Sequence, residues 1–331
     1  MTDSVQPAPE DASLVVRDLK VHFGGGKAVF SRNRPVVHAV DGVSFSVPGG
    51  RTFGIVGESG SGKTTTALAI MRLVPITAGS VTLNGEEISV YEGRELRQSR
   101  RNYQIVFQDP YSSLDPRKRA AQIVREPLDL MNIGSPRERD ERVSELFTQV
   151  GLRPEQKALF PHQFSGGQRQ RLGLARALST RPGLIVCDEP VSALDVAIQA
   201  QILNLMARLQ ADLGLTYLFI SHDLGVVQHI CDEVAVMYLG QIVEQADRVA
   251  LFSAPKHPYT KALLAAVPSV HATDRDRRDR VRLAGDPPSP INLPKGCRFA
   301  SRCPLAEERC RQSSPPLEDR GGGHKVACFL A

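Results

Sequence analysis

The sequence predicts a mixed α/β fold, and three segments carry this prediction. GESGSGKT at 57–64 stands between an apolar strand and a helical pattern, where α/β folds place a phosphate-binding loop. LIVCDE at 184–189 is an apolar run that ends in two carboxylates, and LTYLFISHD at 215–223 is an apolar run that ends in a histidine. Such runs are typical of buried strands, and buried strands that alternate with helical patterns indicate an α/β domain.

The composition is that of a globular chain. Its 331 residues suffice for one large domain and a smaller appendage. It is 41% hydrophobic and 23% charged and has no tryptophan. No apolar run approaches the roughly 18 residues that span a bilayer, and residues 1–13 lack the basic and apolar parts of a signal peptide. We therefore expect a cytosolic chain with a flexible N-terminus at 1–13.

The charge balance is mildly basic. Lys and Arg number 41 against 36 acidic residues, for a net charge of +5, and part of the excess comes from the run DRDRRDRVR at 274–282. Opposite charges alternate within that run, so a solvated linker is the favoured interpretation. Net charge alone therefore does not predict nucleic-acid binding.

The first elements are two strands. Residues 14–23, LVVRDLKVHF, alternate in the period-2 manner of a strand, and the loop that follows, 24–35, is rich in glycine and basic residues. VVHAVDGVSFSV at 36–47 is a second strand, which reaches the turn signal PGG. RTFGIVG at 51–57 is then a buried strand that leads into the glycine-rich loop.

The glycine-rich loop fits G-x-x-x-x-G-K-[ST] in every required position. Its glycines let backbone N–H groups line a concave site for phosphate oxygens at a helix N-terminus. In this pattern Lys63 reaches the β- and γ-phosphates of a nucleotide, and the Thr64 hydroxyl coordinates Mg²⁺. A chance match is the alternative, which the flanking strand and helix disfavour. The predicted nucleotide-binding residues of this loop are Gly57, Ser59, Gly60, Gly62, Lys63, Thr64 and Thr65.

Two carboxylates at the end of an apolar strand predict the rest of the phosphate chemistry. In this arrangement Asp188 holds the Mg²⁺ shell, while Glu189 lies beside the γ-phosphate and polarises water. Elsewhere an Asp-Glu pair is usually a solvated surface pair. After a buried strand in a chain with a phosphate loop, the functional interpretation is favoured.

The segment FSGGQRQR at 164–171 lies between these motifs and precedes a helical pattern. With it the chain resembles the ATP-binding-cassette (ABC) ATPases, whose signature loop reads SGGQ and whose motifs follow the same order. The resemblance implies a P-loop NTPase fold: an ABC cassette at 14–250, with a RecA-like core and a helical subdomain at about 109–178. It leaves 251–331 as a C-terminal extension that carries four cysteines.

The implied signature loop consists of Ser165, Gly166, Gly167 and Gln168. Because this loop begins a helix, its N–H groups and the helix dipole would form a second anion site. In the family that site caps the γ-phosphate held by the phosphate loop of another protomer. The chain is therefore expected to be inactive alone.

Other roles carry over from the family position by position. Gln108 in VFQDP resembles the loop glutamine that contacts Mg²⁺ or water and couples to the membrane partner. Asp195 in SALD resembles the aspartate that bridges protomers, and His222 in FISHD resembles the switch histidine that contacts the γ-phosphate. Phe23 is the candidate for stacking on adenine, although His22 adjoins it. The alternatives are a packed core histidine for His222 and a plain strand-to-turn junction for Gln108.

The implied reaction is in-line attack of a Glu189-polarised water on the γ-phosphate of ATP. The predicted catalytic residues are Glu189, His222, Lys63 and Gln108. The predicted Mg²⁺ ligands are Thr64, Gln108 and Asp188.

Three further segments resemble the ATPase subunits of oligopeptide and dipeptide permeases: DPYSSLDPRKR at 109–119, HPYTKALLAAVP at 257–268 and GDPPSPINLPKGC at 285–297. The last resembles the F-type subunit, one of two nonidentical ATPases in those systems, and the loop at 24–35 also suits that type. For HPYTKALLAA, an ordinary amphipathic helix is a compatible interpretation.

The resemblance implies a set of partners. These are two transmembrane permease subunits, a second homologous ATPase that makes a heterodimer, and an extracytoplasmic substrate-binding protein, with this chain at the cytoplasmic face of the membrane and no nucleic acid bound. Peptide as the transported substrate follows from kinship alone, and nickel and glutathione importers carry very similar ATPases. A soluble ABC ATPase that acts on nucleic acid is the alternative of another class.

Four cysteines, Cys297, Cys303, Cys310 and Cys328, lie in a proline-rich segment with little periodic pattern. A metal or a cross-link would stabilise such a segment. Disulfides are disfavoured in a reducing cytosol, and the spacing leaves zinc and an iron–sulfur cluster open.

The resemblance favours a four-iron, four-sulfur (4Fe-4S) cluster, because some peptide-permease ATPases hold one at this cysteine pattern. A redox or metal sensor is a third hypothesis, which rests on these thiols alone. Cys187 and Cys231 are expected to be small buried hydrophobes.

Overall fold

The computed structural model describes residues 12–24, 35–266, 285 and 288–331. Nearly all of the N-terminus predicted to be flexible, most of the loop at 24–35 and the whole charged run at 274–282 lie outside the described residues. Those predictions therefore stay predictions.

The chain divides into two compact units. Unit 1 contains Ser46–Thr52 and Thr82–Phe219, together with the residues up to Val15. Unit 2 contains Val16–Phe45, Phe53–Val81 and Ile220–Ala331. Strands and helices occur in both units, which confirms the predicted mixed α/β fold.

Among the described residues, the strands are β1 (Ala12–Phe23), β2 (Val37–Pro48), β3 (Thr52–Val56), β4 (Ala78–Leu83), β5 (Glu86–Glu87), β6 (Tyr103–Val106), β7 (Leu184–Asp188), β8 (Thr216–Ser221), β9 (Glu233–Tyr238), β10 (Gln241–Asp247), β11 (Glu318–Asp319) and β12 (Lys325–Val326). The α-helices of the same residues are α1 (Lys63–Ile70), α2 (Gly93–Ser99), α3 (Pro110–Ser113), α4 (Ala120–Leu130), α5 (Pro136–Gln149), α6 (Gly166–Leu178), α7 (Val196–Leu213), α8 (Leu224–Ile230), α9 (Arg248–Ser253), α10 (Pro258–Ala266) and α11 (Glu308–Gln312).

Unit 1 contains a parallel strand pair and a group of helices. Its strand order is β8-β7-β6, and β6 pairs with β7 in parallel with Val106 opposite Cys187. All five residues of β7 are buried, as expected for a strand covered on both faces. Helices α3 to α6 all lie between residues 110 and 178, and α4 packs against α5 and α6.

Local sequence explains where the helices of unit 1 begin. Helix α5 starts with Pro136 at its first position, and the Ser135 side chain caps it through the N–H of Glu138. The Glu138 carboxylate in turn accepts a 2.6 Å hydrogen bond from the Ser135 N–H. This capping box satisfies N–H groups that have no partner within the helix.

Unit 2 contains the phosphate loop and the C-terminal segment. Its strand order is β11-β12-β10-β9-β3, where β3 and β9 are parallel and β10 pairs antiparallel with β9 and β12. Most residues of a second sheet, in the order β2-β1-β4, also belong to this unit. Strand β3 is buried along its whole length, so the loop that follows it at 57 starts from a fixed position.

Within the described residues, no helix combines the length and the apolar character that crossing a bilayer requires.

Candidate functional site

The phosphate loop of unit 2 has two positions that only glycine can occupy. Gly62, which precedes α1, has φ +103°, and a Cβ there would lie 2.2 Å from the carbonyl oxygen of Ala39. A Cβ on Gly57 would lie 2.2 Å from the carbonyl oxygen of Met237. Since real Cβ contacts are never this short, the pattern of glycines in GESGSGKT follows from close backbone approach as well as from conformation.

The lysine of the phosphate loop is buried. Lys63 is 5% exposed, and its Nζ donates 2.9 Å hydrogen bonds to the carbonyl oxygens of Gly57 and Glu58. Ser59 and Gly60 at the tip of the loop are exposed, as is Thr64 in the first turn of α1, while Thr65 is half-buried. A buried ammonium beneath exposed loop residues at a helix N-terminus fits the polyphosphate of a nucleotide.

The two carboxylates of unit 1 end a buried strand. Asp188 is the last residue of β7 and is 5% exposed. Glu189 follows it in the left-handed region, with φ +46°. A non-glycine residue in that region is uncommon, and such strained conformations cluster at active sites and ligand clamps. The Glu189 carbonyl accepts a 3.1 Å hydrogen bond from the Ser192 hydroxyl, which helps to hold this turn.

Gln108 and Glu189 are in contact. Gln108 Nε2 donates a 2.8 Å hydrogen bond to Glu189 Oε2. The contact follows from strand register: β6 and β7 are parallel with Val106 opposite Cys187, so the residues two positions later also lie side by side. The structure thus brings together two residues that the sequence assigned to catalysis from separate motifs.

The predicted signature loop begins α6, and part of its hydrogen-bonding capacity is used internally. Ser165 is the N-cap residue, whose Oγ accepts from the Gln168 N–H at 3.3 Å. Gln168 Oε1 accepts from the Ser165 N–H at 3.0 Å. The Ser165 N–H, which the sequence predicts to be an anion-binding group, is instead occupied by this capping box. The N–H groups of Gly166 and Gly167 are in the first helical turn, where no intrahelical acceptor exists.

The remaining nucleotide-related residues occupy element ends. Asp195 is the N-cap of α7, and its Oδ1 accepts a 3.0 Å hydrogen bond from the Ile198 N–H. His222 is exposed and directly follows β8. Phe23 ends β1 and is 39% exposed, which leaves its ring accessible to a flat ligand.

Sequence reasoning missed the residues that hold the phosphate loop at Glu58. Both guanidinium nitrogens of Arg302 donate to the Glu58 carboxylate, from Nη1 at 2.7 Å and from Nη2 at 3.1 Å. The Glu58 N–H donates a 2.9 Å hydrogen bond to Tyr259 Oη. The two segments concerned, HPYTK and CRFASRC, contain these side chains, but spacing along the chain gives no sign of a partner more than 200 residues away.

A second polar group lies at the end of β1 and the start of β2. His22 Nε2 lies 3.1 Å from Asp41 Oδ1 and 3.2 Å from His38 Nδ1, close enough for all three side chains to approach one metal ion. The second carboxylate oxygen of Asp41 is paired with Arg298. This guanidinium and the His22 contact lower the pKa of Asp41 against the opposing effect of its burial. We interpret the group as a hydrogen-bonded network that joins Arg298 to β2.

The four C-terminal cysteines line one cavity in unit 2. The other side chains around it are mostly apolar: His257, Pro258, Phe299, Ala300, Ala306, Pro315, Phe329 and Leu330. Burial raises the pKa of Cys297 and of Cys303, which favours the neutral thiol. The other two cysteines of the chain, Cys187 and Cys231, are fully buried and behave as small core residues.

Two family models match the sequence. One, described as ABC transporter, matches residues 40–192. The other, described as the C-terminal region of oligopeptide/dipeptide transporters, matches residues 243–310. The second match includes three of the four C-terminal cysteines and both arginines that contact Glu58 and Asp41.

Two named relatives are similar over almost the full chain. The oligopeptide transport ATP-binding protein AppF of Bacillus subtilis is 49% identical over 324 residues, which are 98% of this chain and 98% of that protein. A probable peptide ABC transporter ATP-binding protein, y4tS of Sinorhizobium fredii, is 52% identical over 97% of this chain and 90% of its own length.

Solved structures of ATP-binding cassettes have the same fold. The dimeric cassette MJ0796 bound to ADP and Pi has a TM-score of 0.62 at 27% identity and covers 71% of this chain and 98% of its own. CbiO1 of Clostridium perfringens, part of the transporter complex cbiONQ, has a TM-score of 0.65 at 27% identity and covers 74% of this chain and 92% of its own.

The prediction of a 4Fe-4S cluster at Cys297, Cys303, Cys310 and Cys328 is wrong. A metal site needs at least three ligand atoms that lie close together. Among the described residues, His22, His38 and Asp41 have ligand atoms within 4.8 Å of one another. No three of the four C-terminal thiols lie that close together. The relatives that match along nearly the whole chain are named as ATP-binding proteins, and these names mention no iron–sulfur cluster. The four cysteines line one cavity, where Cys310 and Cys328 are buried and Cys297 and Cys303 are half-buried.

Proposed function

The chain belongs to the ATP-binding proteins of oligopeptide and dipeptide ABC transporters, and we propose that it binds and hydrolyses ATP to power import of peptides through a membrane permease. The predicted ABC-cassette fold and the family resemblance are thereby confirmed. Peptide is preferred to nickel or glutathione because the similar full-length relatives are named for peptide or oligopeptide transport.

The contact between Gln108 and Glu189 is the observation that supports hydrolysis most directly. An amide that donates to one carboxylate oxygen of Glu189 orients this side chain, and the carboxylate is the group that would take a proton from the attacking water. A carboxylate held in this way suits a general base better than one that rotates freely. The left-handed backbone at Glu189 fixes its position further.

The remaining roles follow from membership of the family. In unit 2, Lys63 is assigned to the β- and γ-phosphates, His222 to the γ-phosphate and Phe23 to the adenine ring. The proposed Mg²⁺ ligands are Thr64, Gln108 and Asp188. When bound, Mg²⁺ supplies charge neutralisation at the phosphate oxygens.

The proposed working state contains two cassettes. The signature residues from Ser165 to Gln168 and the loop residue Asp195 act across the contact between protomers, so the second anion site is completed by another ATPase. We propose a heterodimer with a second homologous ATPase, bound to two permease subunits at the cytoplasmic face of the membrane and served by an extracytoplasmic binding protein.

The test is to assemble this chain with the two permease subunits, the second ATPase and the binding protein of a peptide ABC transporter, and to measure ATP hydrolysis in liposomes. Hydrolysis is expected to rise when a peptide-loaded binding protein is added, and to be lost in Lys63→Ala. Stimulation by nickel or glutathione in place of peptide would overturn the substrate class. Stimulation of the isolated chain by nucleic acid would overturn the transport assignment.

A further inference from the structure

Glu58 of the phosphate loop is bonded to the C-terminal segment. Its carboxylate accepts hydrogen bonds from both terminal nitrogens of Arg302. Such a two-pronged contact fixes both the distance and the relative orientation of the two side chains. Its N–H donates to Tyr259 Oη, and its carbonyl oxygen accepts from the Lys63 ammonium and from the Ser61 N–H. Every polar group of Glu58 is therefore engaged, two of them by residues of the C-terminal segment.

This contact is packed as well as hydrogen-bonded. The Arg302 side chain is 5% exposed, against 28% for that of Glu58, so the guanidinium is nearly removed from water. Arg302 also lies over the Tyr238 ring, with 5.8 Å between the guanidinium carbon and the ring centroid. The Tyr259 ring packs against the Tyr238 ring at 4.7 Å and the Phe299 ring at 5.4 Å between centroids. The surroundings therefore hold Arg302 in one place.

Electrostatics gives the contact a consequence for ligand binding. A carboxylate within a loop built to bind polyphosphate would repel that ligand unless a cation neutralises it. Lys63 is the cation that faces the phosphates in the proposed function, so it cannot serve this purpose in full. Arg302, whose side chain is 5% exposed, is the cation paired with the Glu58 carboxylate and neutralises its charge.

We propose that Arg302 is a positioning residue for the ATP site, through which the C-terminal segment containing Tyr259 and Arg302 controls the affinity of the phosphate loop for nucleoside triphosphates. The proposal rests on the proposed function, since it concerns the same ATP site. The coupling is reciprocal. If the contact through Arg302 increases the affinity for ATP, bound ATP stabilises the C-terminal segment by the same free energy.

The test is a double-mutant cycle on the full chain, with the dissociation constant for MgATP as the readout. Arg302→Ala is expected to weaken binding on the order of 10-fold or more, within the usual range of such couplings. Glu58→Gln keeps the backbone hydrogen bonds and removes the charge, so its own effect is expected to be small. In Arg302→Ala/Glu58→Gln most of the lost affinity is expected to return, because the unpaired carboxylate is gone.

An equal loss in the single Arg302 variant and the double variant would overturn the proposal, because a merely structural arginine is not rescued by removing its partner's charge. If Arg302→Ala does not fold, Arg302→Lys replaces it in the cycle. Lysine keeps the positive charge but cannot make the two-pronged contact, so this variant is expected to bind ATP with intermediate affinity. Arg309→Ala is the matched control, since this arginine of the same segment is exposed and bonds Glu307 and Phe329 instead.

A second readout is hydrogen exchange. In the wild-type chain, MgATP is expected to slow amide exchange across residues 296–310, and this protection is expected to shrink in Arg302→Ala. Wild-type protein that fails to bind MgATP would refute the proposed function itself. Wild-type protein that binds it, with no added protection and no loss in Arg302→Ala, would refute the coupling alone.

Discussion

Gln108 donates a hydrogen bond from Nε2 to Oε2 of Glu189 across 2.8 Å, although the two residues are 81 positions apart in the chain. The parallel register of β6 and β7 produces the contact. Two of the four proposed catalytic residues are thus placed side by side by the sheet itself.

Glu189→Gln is expected to bind MgATP normally and to hydrolyse it on the order of 10²–10³ times more slowly, a loss of about 3–4 kcal/mol of barrier stabilisation. An amide keeps the shape of the side chain but cannot take a proton. Binding and turnover are measured on the assembled transporter. Glu141→Gln is the control, because Glu141 is exposed on α5 and pairs with Arg137. Normal turnover in Glu189→Gln would refute the assignment.

Gln108→Glu is expected to lower hydrolysis at pH 7 on the order of 10-fold, and more than Gln108→Ala does. The substitution places two carboxyl groups in contact, which raises the pKa of the pair and leaves one of them protonated. Activity of Gln108→Glu should therefore recover as the pH rises, whereas that of Gln108→Ala should not. Parallel pH profiles of the two variants would contradict the role of the contact.

His257 is expected to make stability depend on pH in the acidic range. Burial, and to a smaller degree the charge of Lys261, lowers the pKa of His257 from 6.5 to about 4. Between these values the unfolded chain binds a proton that the folded chain does not, so stability is complete above pH 6.5 and is lost as the pH falls towards 4. The loss amounts to at most about 3 kcal/mol.

Urea unfolding at a series of pH values measures this dependence. His257→Asn should flatten it, while His162→Asn, a change at an exposed histidine, should leave it intact. A curve for His257→Asn that is as steep as the wild-type curve would show that other groups are responsible.

Phe299→Ala is expected to destabilise the folded chain by about 3–5 kcal/mol. Phe299 is 1% exposed, and its ring lies 5.3 Å from that of Tyr238 and 5.4 Å from that of Tyr259. Leu305→Ala, at a position that is 55% exposed, should change stability by less than about 0.5 kcal/mol. Equal midpoints for the two variants in thermal unfolding would contradict this packing.

Treatment with an iron chelator is expected to change neither the stability of the protein nor its rate of ATP hydrolysis. Purified protein treated with an iron chelator, in the presence of Mg²⁺, should keep its melting temperature. Cys310→Ala, at a position that is 7% exposed, should cost about 1 kcal/mol, the contribution of a small buried apolar group. A large loss of stability on chelation would contradict the interpretation of these residues as packed thiols.

Residues close together in sequence were the ones that sequence reasoning could place. Lys63 and Glu189 each stand in a short motif whose flanking strand fixes its position, and the fold follows from the same motifs. The Arg302–Glu58 pair spans 244 positions and the Arg298–Asp41 pair 257, so no local pattern indicates them. The spacing of the cysteines gives only the number of residues between them along the chain. A metal cluster depends on how the sulfur atoms are arranged in space, which this spacing does not determine. The capping box of Ser165 is a case within one short motif. Side-chain geometry decides which backbone N–H groups of the motif can bind an anion, and the sequence alone does not show it.

The last strand of the described C-terminal segment has a protective effect. Strand β12 pairs with β10, placing Val326 opposite Glu244, and so covers an edge whose N–H and C=O groups would otherwise face solvent. Truncation of the chain after residue 311 would remove this strand and open the edge of β10 to pairing with other molecules. The truncated protein should therefore aggregate more readily than the full chain.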